Sequence, residues 1–234
     1  MKKALALSAP EFRKLPVSGL KSCGLIYLGD EFCQNLMPSP EDFERALKTF
    51  NGRVVLVTPL LTDEIFDEVE RIIKKLASPK SKLEIVANDL GLLYTIRKKY
   101  AARVNVTLGR ILGHRVKMMP EGFAGRFLKE HGVSRVEIDD ASLVRRFAPF
   151  KGVKLSFHSP FRYISVTRFC PWEKHWPAPC GYACLGKIIK LKHRALPQPL
   201  FLKGASYRVK TSRAPKHPMI DRLVKEPVLL RSRK

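Results

Sequence analysis

The sequence lacks the features that would place a protein in a membrane or a secretory pathway. No apolar run approaches the roughly 20 residues that a membrane-spanning helix needs. The first residues, Met1–Leu7, resemble the start of a signal peptide, but this apolar stretch is short and Pro10–Arg13 interrupts it. The cysteine count is low and odd, five in 234 residues, which argues against a set of disulfides. We therefore expect a cytoplasmic protein.

Acidic residues are also few. Asp and Glu total 21 against 44 Lys and Arg, so the formal net charge is +23. Such an excess favours anionic partners: nucleic acid, an anionic membrane surface or an acidic protein. The basic residues are spread along the chain and are densest after Lys187, without an RNA-recognition motif that interleaves aromatic residues. The charge leaves two alternatives open, a polyanion such as RNA as partner or an ordinary solvated basic surface.

The sequence does contain a cluster of cysteines. Cys170, Cys180 and Cys184 lie close together, and prolines among them indicate a constrained loop. Any fourth ligand must come from Cys23 or Cys33. Iron–sulfur clusters are held by four thiolates, often with one remote in sequence, whereas structural zinc sites usually use two close pairs. The spacing favours an iron–sulfur cluster, with zinc and unligated thiols packed as small apolar groups as the alternatives.

Short β runs alternate with amphipathic helices along the chain. The predicted strands are 4–7, 25–28, 53–57, 83–86, 103–106, 136–138 and 155–157, and the predicted helices are 41–50, 62–76, 89–100, 121–130 and 141–147. This alternation is typical of an α/β protein with a TIM-barrel-like (β/α) closure. We expect the barrel over residues 1–160, and a cysteine-rich loop with a basic C-terminal extension packed on it over residues 161–234.

The predicted barrel helps to choose the fourth ligand. Loops that follow the strands of such a barrel line one rim. Cys33 follows the second predicted strand and Cys170 follows the seventh, so both should reach that rim. Cys23 precedes the second strand, and we expect it to be structural. The predicted metal ligands are therefore Cys33, Cys170, Cys180 and Cys184.

Several runs also resemble a known family, the collagenase-like peptidases of unknown type, number thirty-two (U32), and within it the ubiquinone-biosynthesis proteins of the UbiV type. The most specific runs are Ile26–Cys33, Glu84–Gly91 and the cysteine spacing of the late loop. The resemblance covers most of the chain, to about residue 205. Weaker similarity lies in Val54–Thr58, Leu128–Gly132 and Phe201–Gly204.

The resemblance implies an oxygen-sensitive [4Fe–4S] cluster, and the family's ligand pattern falls on Cys33, Cys170, Cys180 and Cys184. It also implies a UbiU-like partner and a role in oxygen-independent hydroxylation of the quinone ring in ubiquinone biosynthesis. Other members hydroxylate bases in tRNA or ribosomal RNA, so RNA base hydroxylation is an alternative. A collagenase-like peptidase is another, in which His158 or His175 would serve Cys170 as its base.

Overall fold

Eight parallel strands close into a barrel at the centre of the fold. The computed structural model describes residues 1–15, 20, 23–176, 179–211 and 213–227. The barrel strands are β1 (Lys2–Leu7), β2 (Leu25–Gly29), β3 (Arg53–Val57), β4 (Leu83–Ala87), β5 (Val104–Leu108), β6 (Val133–Ile138), β7 (Lys154–Ser159) and β12 (Ile220–Lys225). Around the barrel they run β1, β12, β7, β6, β5, β4, β3, β2. The TIM-barrel-like α/β prediction is therefore confirmed.

Helices connect the strands on the outside of the barrel. They are α1 (Ala9–Lys14), α2 (Pro40–Thr49), α3 (Asp63–Leu76), α4 (Leu90–Thr95), α5 (Arg110–Met118), α6 (Glu121–Glu130) and α7 (Leu143–Phe147). The start of α2 follows from its sequence, because the Ser39 side chain accepts a hydrogen bond from the Asp42 N–H (3.2 Å) and Pro40 occupies the first turn. None of the described helices is long and apolar enough to cross a membrane.

Two packed layers follow from the alternation of side chains along the strands. Val55 and Val57 of β3 belong to a small apolar group with Tyr27 inside the barrel, while Val54 and Leu56 pack outward in the large core beneath the helices. The barrel interior also holds charge. Arg222 of β12 donates hydrogen bonds to Glu84 and to the Tyr27 hydroxyl (3.0 Å).

A second sheet lies between β7 and β12 in the chain. Its strands are β8 (Phe161–Val166), β9 (Ile189–Leu191), β10 (Leu200–Lys203) and β11 (Ser206–Lys210), which pair antiparallel in the order β8, β11, β10, β9. The segment after residue 160 therefore supplies a sheet and also the eighth barrel strand, β12. The barrel is thus not complete within the predicted boundaries of 1–160. Pro177 and Ala178 of the cysteine-rich loop and residues 228–234 of the predicted extension lie outside the described residues.

Candidate metal centre

A sharp turn at the carboxyl end of β2 presents Cys33. Gly29 has a φ of +124°, and a Cβ atom there would lie 2.2 Å from the carbonyl oxygen of Val57, so a side chain cannot be accommodated. The Asp30 carboxylate then accepts hydrogen bonds from the backbone N–H groups of Phe32 (2.7 Å) and Cys33 (2.8 Å). These contacts fix the backbone conformation of residues 30–33, and with it the position of Cys33.

The cysteine-rich loop follows β8 and is held by its own hydrogen bonds. The Cys170 N–H donates to the carbonyl of His175 (2.8 Å), and the Lys174 N–H donates back to the carbonyl of Cys170 (2.9 Å). The indole N–H of Trp172 donates to the carbonyl of Gly204 in the β10–β11 turn (2.8 Å). The loop is therefore anchored to the second sheet at the rim where β2 ends.

All four predicted ligands line one pocket at this rim. The pocket has about 690 Å³ of empty space, part of it open to solvent, and Cys33, Cys170, Cys180 and Cys184 are all among its lining residues. Cys23 lies elsewhere: it packs against the large core, and its thiol contacts the carbonyl of Leu20 (3.1 Å). Four cysteines spread over about 150 positions of the sequence thus line one pocket, while the fifth does not.

The electrostatics of the pocket disfavour free thiolates. Burial raises the pKa of Cys33 to about 12, and the nearby charge of Asp30 adds to this effect. Burial also raises the pKa of Cys184 to about 12, with the charge of Cys180 contributing. Metal ions bind cysteine as the thiolate and displace its proton. A cationic group that bound all the cysteines would therefore offset the repulsion that their charges would otherwise cause.

The donor set suits a cluster in its chemistry. Four cysteine sulfurs are the usual ligands of a [4Fe–4S] centre, in which each thiolate binds a different iron. In the described part of the chain, no three His, Cys, Asp or Glu side chains are grouped closely enough to hold one metal ion. The cluster and its ligand assignment stay a prediction, which the pocket supports.

A second, polar pocket adjoins the first, and Glu31 lines both. Glu31 accepts hydrogen bonds from Arg110 through its Nε (2.7 Å) and backbone N–H (2.6 Å), and from Asn88 Nδ2 (3.1 Å). Arg110 also donates to Glu226 through Nη2 (3.1 Å). Burial alone would raise the pKa of Glu31, but the positive charge of Arg110 and the hydrogen bonds that Arg110 donates hold it below its usual range. One guanidinium thus joins the ends of β2, β5 and β12.

His158 of β7 presents a free ring nitrogen in this polar pocket. Its Nε2 lies 2.7 Å from Glu137 Oε2, and the Tyr27 hydroxyl donates to Glu137 Oε1 (3.1 Å). A neutral ring that donates through Nε2 leaves Nδ1 as an acceptor. Within the described residues, His158 Nδ1 and Arg110 Nη1 are buried and have no hydrogen-bond partner. Arg110 Nη1 lies 3.5 Å from Asp139 Oδ2, so the pocket offers His158 Nδ1 as an acceptor that could orient a polar ligand.

The peptidase alternative would pair Cys170 with a histidine base, and the described residues show no such hydrogen bond. His158 hydrogen-bonds to Glu137, not to Cys170. His175 lines the cysteine pocket, but its Nε2 contacts Glu173 (3.0 Å) and its Nδ1 contacts the carbonyl of Trp176. Carboxylate and backbone oxygens bond to both ring nitrogens of His175 and to Nε2 of His158, and neither ring is bonded to a thiol in the described part of the chain.

Sequence reasoning did not identify the polar residues beside the cysteines. Glu31, Asn88 and Arg110 each follow a buried strand within two residues, and Glu137 lies between two buried apolar residues, Val136 and Ile138, near the end of β6. A polar side chain at the carboxyl end of a barrel strand was the available signal, because this end carries the functional site of such barrels.

Comparisons with known proteins support the fold. No protein-family model and no curated protein matches the sequence. Among solved structures, the chain is similar to the U32 peptidase Mk0906, with 12% identity, a TM-score of 0.50, and coverage of 97% of this chain and 92% of that one. A glycoside hydrolase family 18 N-acetylglucosaminidase from Paenibacillus barengoltzii gives 8% identity and a TM-score of 0.43, with coverage of 96% and 94%. At this identity, the first similarity shows a common fold, and the second carries no argument.

Proposed function

We propose that the chain is an iron–sulfur protein of the UbiV type in the U32 family, and that Cys33, Cys170, Cys180 and Cys184 hold a [4Fe–4S] cluster. In this proposal it acts with a UbiU-like partner in oxygen-independent hydroxylation for quinone biosynthesis. The observation that carries the cluster assignment is the convergence of these four thiols on one pocket, with Cys23 left outside it. The fold shared with a U32 peptidase adds support.

The surroundings of the pocket suit such a centre. A bound cluster would supply one-electron chemistry at the barrel rim. Phe32, Leu36, Leu60 and Trp172 line the pocket and would limit the access of water to it. Glu31 lines both pockets and fixes the position of Arg110, and Arg110 would help to hold a polar substrate in the polar pocket. Because the cysteine pocket is partly open to solvent, a partner chain would complete its enclosure.

The proposal is tested by purification under anaerobic conditions. We expect a brown protein with about four irons per chain, as a cubane requires. Each of Cys33→Ala, Cys170→Ala, Cys180→Ala and Cys184→Ala should lower the iron content, whereas the matched control Cys23→Ala should not. One zinc and no iron per chain would overturn the cluster. Co-expression with a UbiU-like protein should raise iron occupancy, and no effect on occupancy would count against the partner.

RNA base hydroxylation remains a second candidate because of one observation. Between Asp140 and Asp221 the only acidic residue is Glu173. The same stretch carries many cations, and Lys187, Lys190, Lys192 and Arg194 are all exposed. The cysteine-rich loop and the second sheet thus present a strongly basic surface, which suits a polyanion.

A further inference from the structure

Glu173 is the only acidic residue between Asp140 and Asp221, and it lies inside the cysteine-rich loop. Glu173 follows Cys170 by three positions and precedes Cys180 by seven. No other Asp or Glu within thirty residues on either side could take its place as a hydrogen-bond acceptor. Its position alone does not assign it a role, but its contacts do.

The Glu173 carboxylate binds both sides of the turn that carries two of the cysteines. Its Oε2 accepts a hydrogen bond from the Gly181 N–H (3.0 Å), and its Oε1 accepts one from the Ala183 N–H (2.8 Å). Two alternate backbone N–H groups aimed at one anion form a nest. The segment from Cys180 to Cys184 is therefore folded around the carboxylate of Glu173.

The residue between these two N–H groups adopts an unusual conformation. Tyr182 has a φ of +57°, a region that residues other than glycine rarely occupy. Its N–H donates to Cys180 Sγ (3.3 Å). Such a conformation persists only where the surroundings determine it. The bonds that Glu173 accepts from Gly181 and Ala183 lie on either side of Tyr182, and the Leu185 N–H also donates to the Tyr182 carbonyl (3.0 Å). Together these contacts hold the turn in which the Tyr182 N–H is directed at the Cys180 sulfur.

We propose that Glu173 is a positioning residue for the cluster, which shapes the Cys180–Cys184 turn and places a fixed negative charge beside the Cys180 sulfur. This inference rests on the proposed function. The Cys180 thiol lies 3.8 Å from Glu173 Oε1. Hydrogen bonds to the sulfurs and charges near the cluster tune its reduction potential. Glu173 controls both, since it orients the Tyr182 N–H and carries the charge.

Two substitutions remove the carboxylate in steps, because Gln can keep one of the two acceptors that Gly181 and Ala183 use and Ala keeps neither. Glu173→Gln keeps one carbonyl acceptor for the nest and removes the charge, so the cluster should remain bound and its reduction potential should become more positive. Glu173→Ala removes the nest's anion. Losing an outer partner of a metal ligand typically costs about 10–100-fold in metal affinity, so we expect iron to be lost to a chelator about tenfold faster or more. Glu130→Gln is the matched control, because Glu130 is exposed and ends α6 on the opposite side of the barrel.

The measurements are the reduction potential of the cluster by spectroscopic titration and the rate of iron release to an iron(II) chelator. A protein without iron would refute the proposed function, and the loop would then be tested by alkylation of the apo-protein with iodoacetamide. Glu173→Ala should speed modification of Cys180 and Cys184 relative to Cys23. Unchanged potential in Glu173→Gln, or unchanged iron release and alkylation in Glu173→Ala, would overturn the role of Glu173.

Discussion

Arg110 should be among the residues on which the folded barrel depends most. Its side chain is almost fully buried, with the residue 3% exposed, and it bonds to Glu31 and Glu226 at the ends of two other strands. Met would fill much of the same space with an unbranched apolar side chain. Glu31 would then be buried without the guanidinium group that now neutralises its charge. Glu226 is less affected, since Arg208 and Lys203 still donate to it.

The size of the effect follows from the burial of the pair. Removing one partner of a buried ion pair leaves an uncompensated charge and costs about 3–5 kcal/mol. We expect a loss of this size for Arg110→Met in the free energy of unfolding, measured on the apo-protein by urea titration at neutral pH. The control is Arg53→Met, because Arg53 lies 3.5 Å from Glu84 with its side chain 59% exposed, and should cost at most about 1 kcal/mol.

The pH dependence provides a further check. Burial would raise the folded-state pKa values of Glu31 and Glu226, but Arg110 and other cations lower them. The two carboxylates therefore stabilise the folded protein above the unfolded pKa of about 4.3, and this stabilisation is lost as pH falls through the folded values. In Arg110→Met, burial should instead raise the pKa of Glu31. The difference between the two proteins should therefore shrink as pH falls from about 7 to about 5. Equal losses for Arg110→Met and Arg53→Met, or a difference independent of pH, would refute this reasoning.

Two further predictions concern the backbone and the charge. Gly29→Ala should lower the free energy of unfolding by more than the control Gly132→Ala. Gly132 also has a positive φ but has open space around it, so its substitution should cost about 1–2 kcal/mol. Equal melting temperatures for the two variants would contradict the close contact between residue 29 and Val57. If RNA is a partner, its retention should weaken steeply with rising salt, because cationic contacts release condensed counterions. Retention that does not depend on salt, or none at low ionic strength, would remove RNA as a candidate.

The strands and helices that the sequence predicted correctly have strong local signals. The run Val54–Val57 of β3 is apolar and mostly β-branched, and α3 combines acidic residues in its first turn with regularly spaced Val69, Ile72 and Ile73. The convergence of Cys33 with the late cysteines could also be anticipated, because a parallel barrel brings strand ends to one rim. Each of these inferences needs only local pattern or topology.

The elements that were missed have signals that depend on tertiary contacts. The sequence of β12 contains Asp221 and Arg222 and does not resemble a buried strand. Arg222 can nevertheless be buried, because Glu84 and Tyr27 accept its hydrogen bonds inside the barrel. α5 begins after Gly109, which provides no side-chain cap, and buries Arg110 against acids that are remote in sequence. The Glu31 network and the Glu173 nest were missed for the same reason, since a polar residue cannot reveal its partner from sequence alone.

The position of β12 has a consequence for the order in which the site can be assembled. During synthesis Cys33, Cys170, Cys180 and Cys184 all emerge before Ile220–Lys225, yet β12 pairs with both β1 and β7. The ring that carries Cys33 therefore stays open until every thiol has been made, and Glu226, at the end of β12, reaches Arg110 only when the ring closes. Iron delivered to the nascent chain would meet an unfinished pocket. A chain that stops before Ile220 would keep its cysteines but lack a closed barrel to hold the proposed cluster.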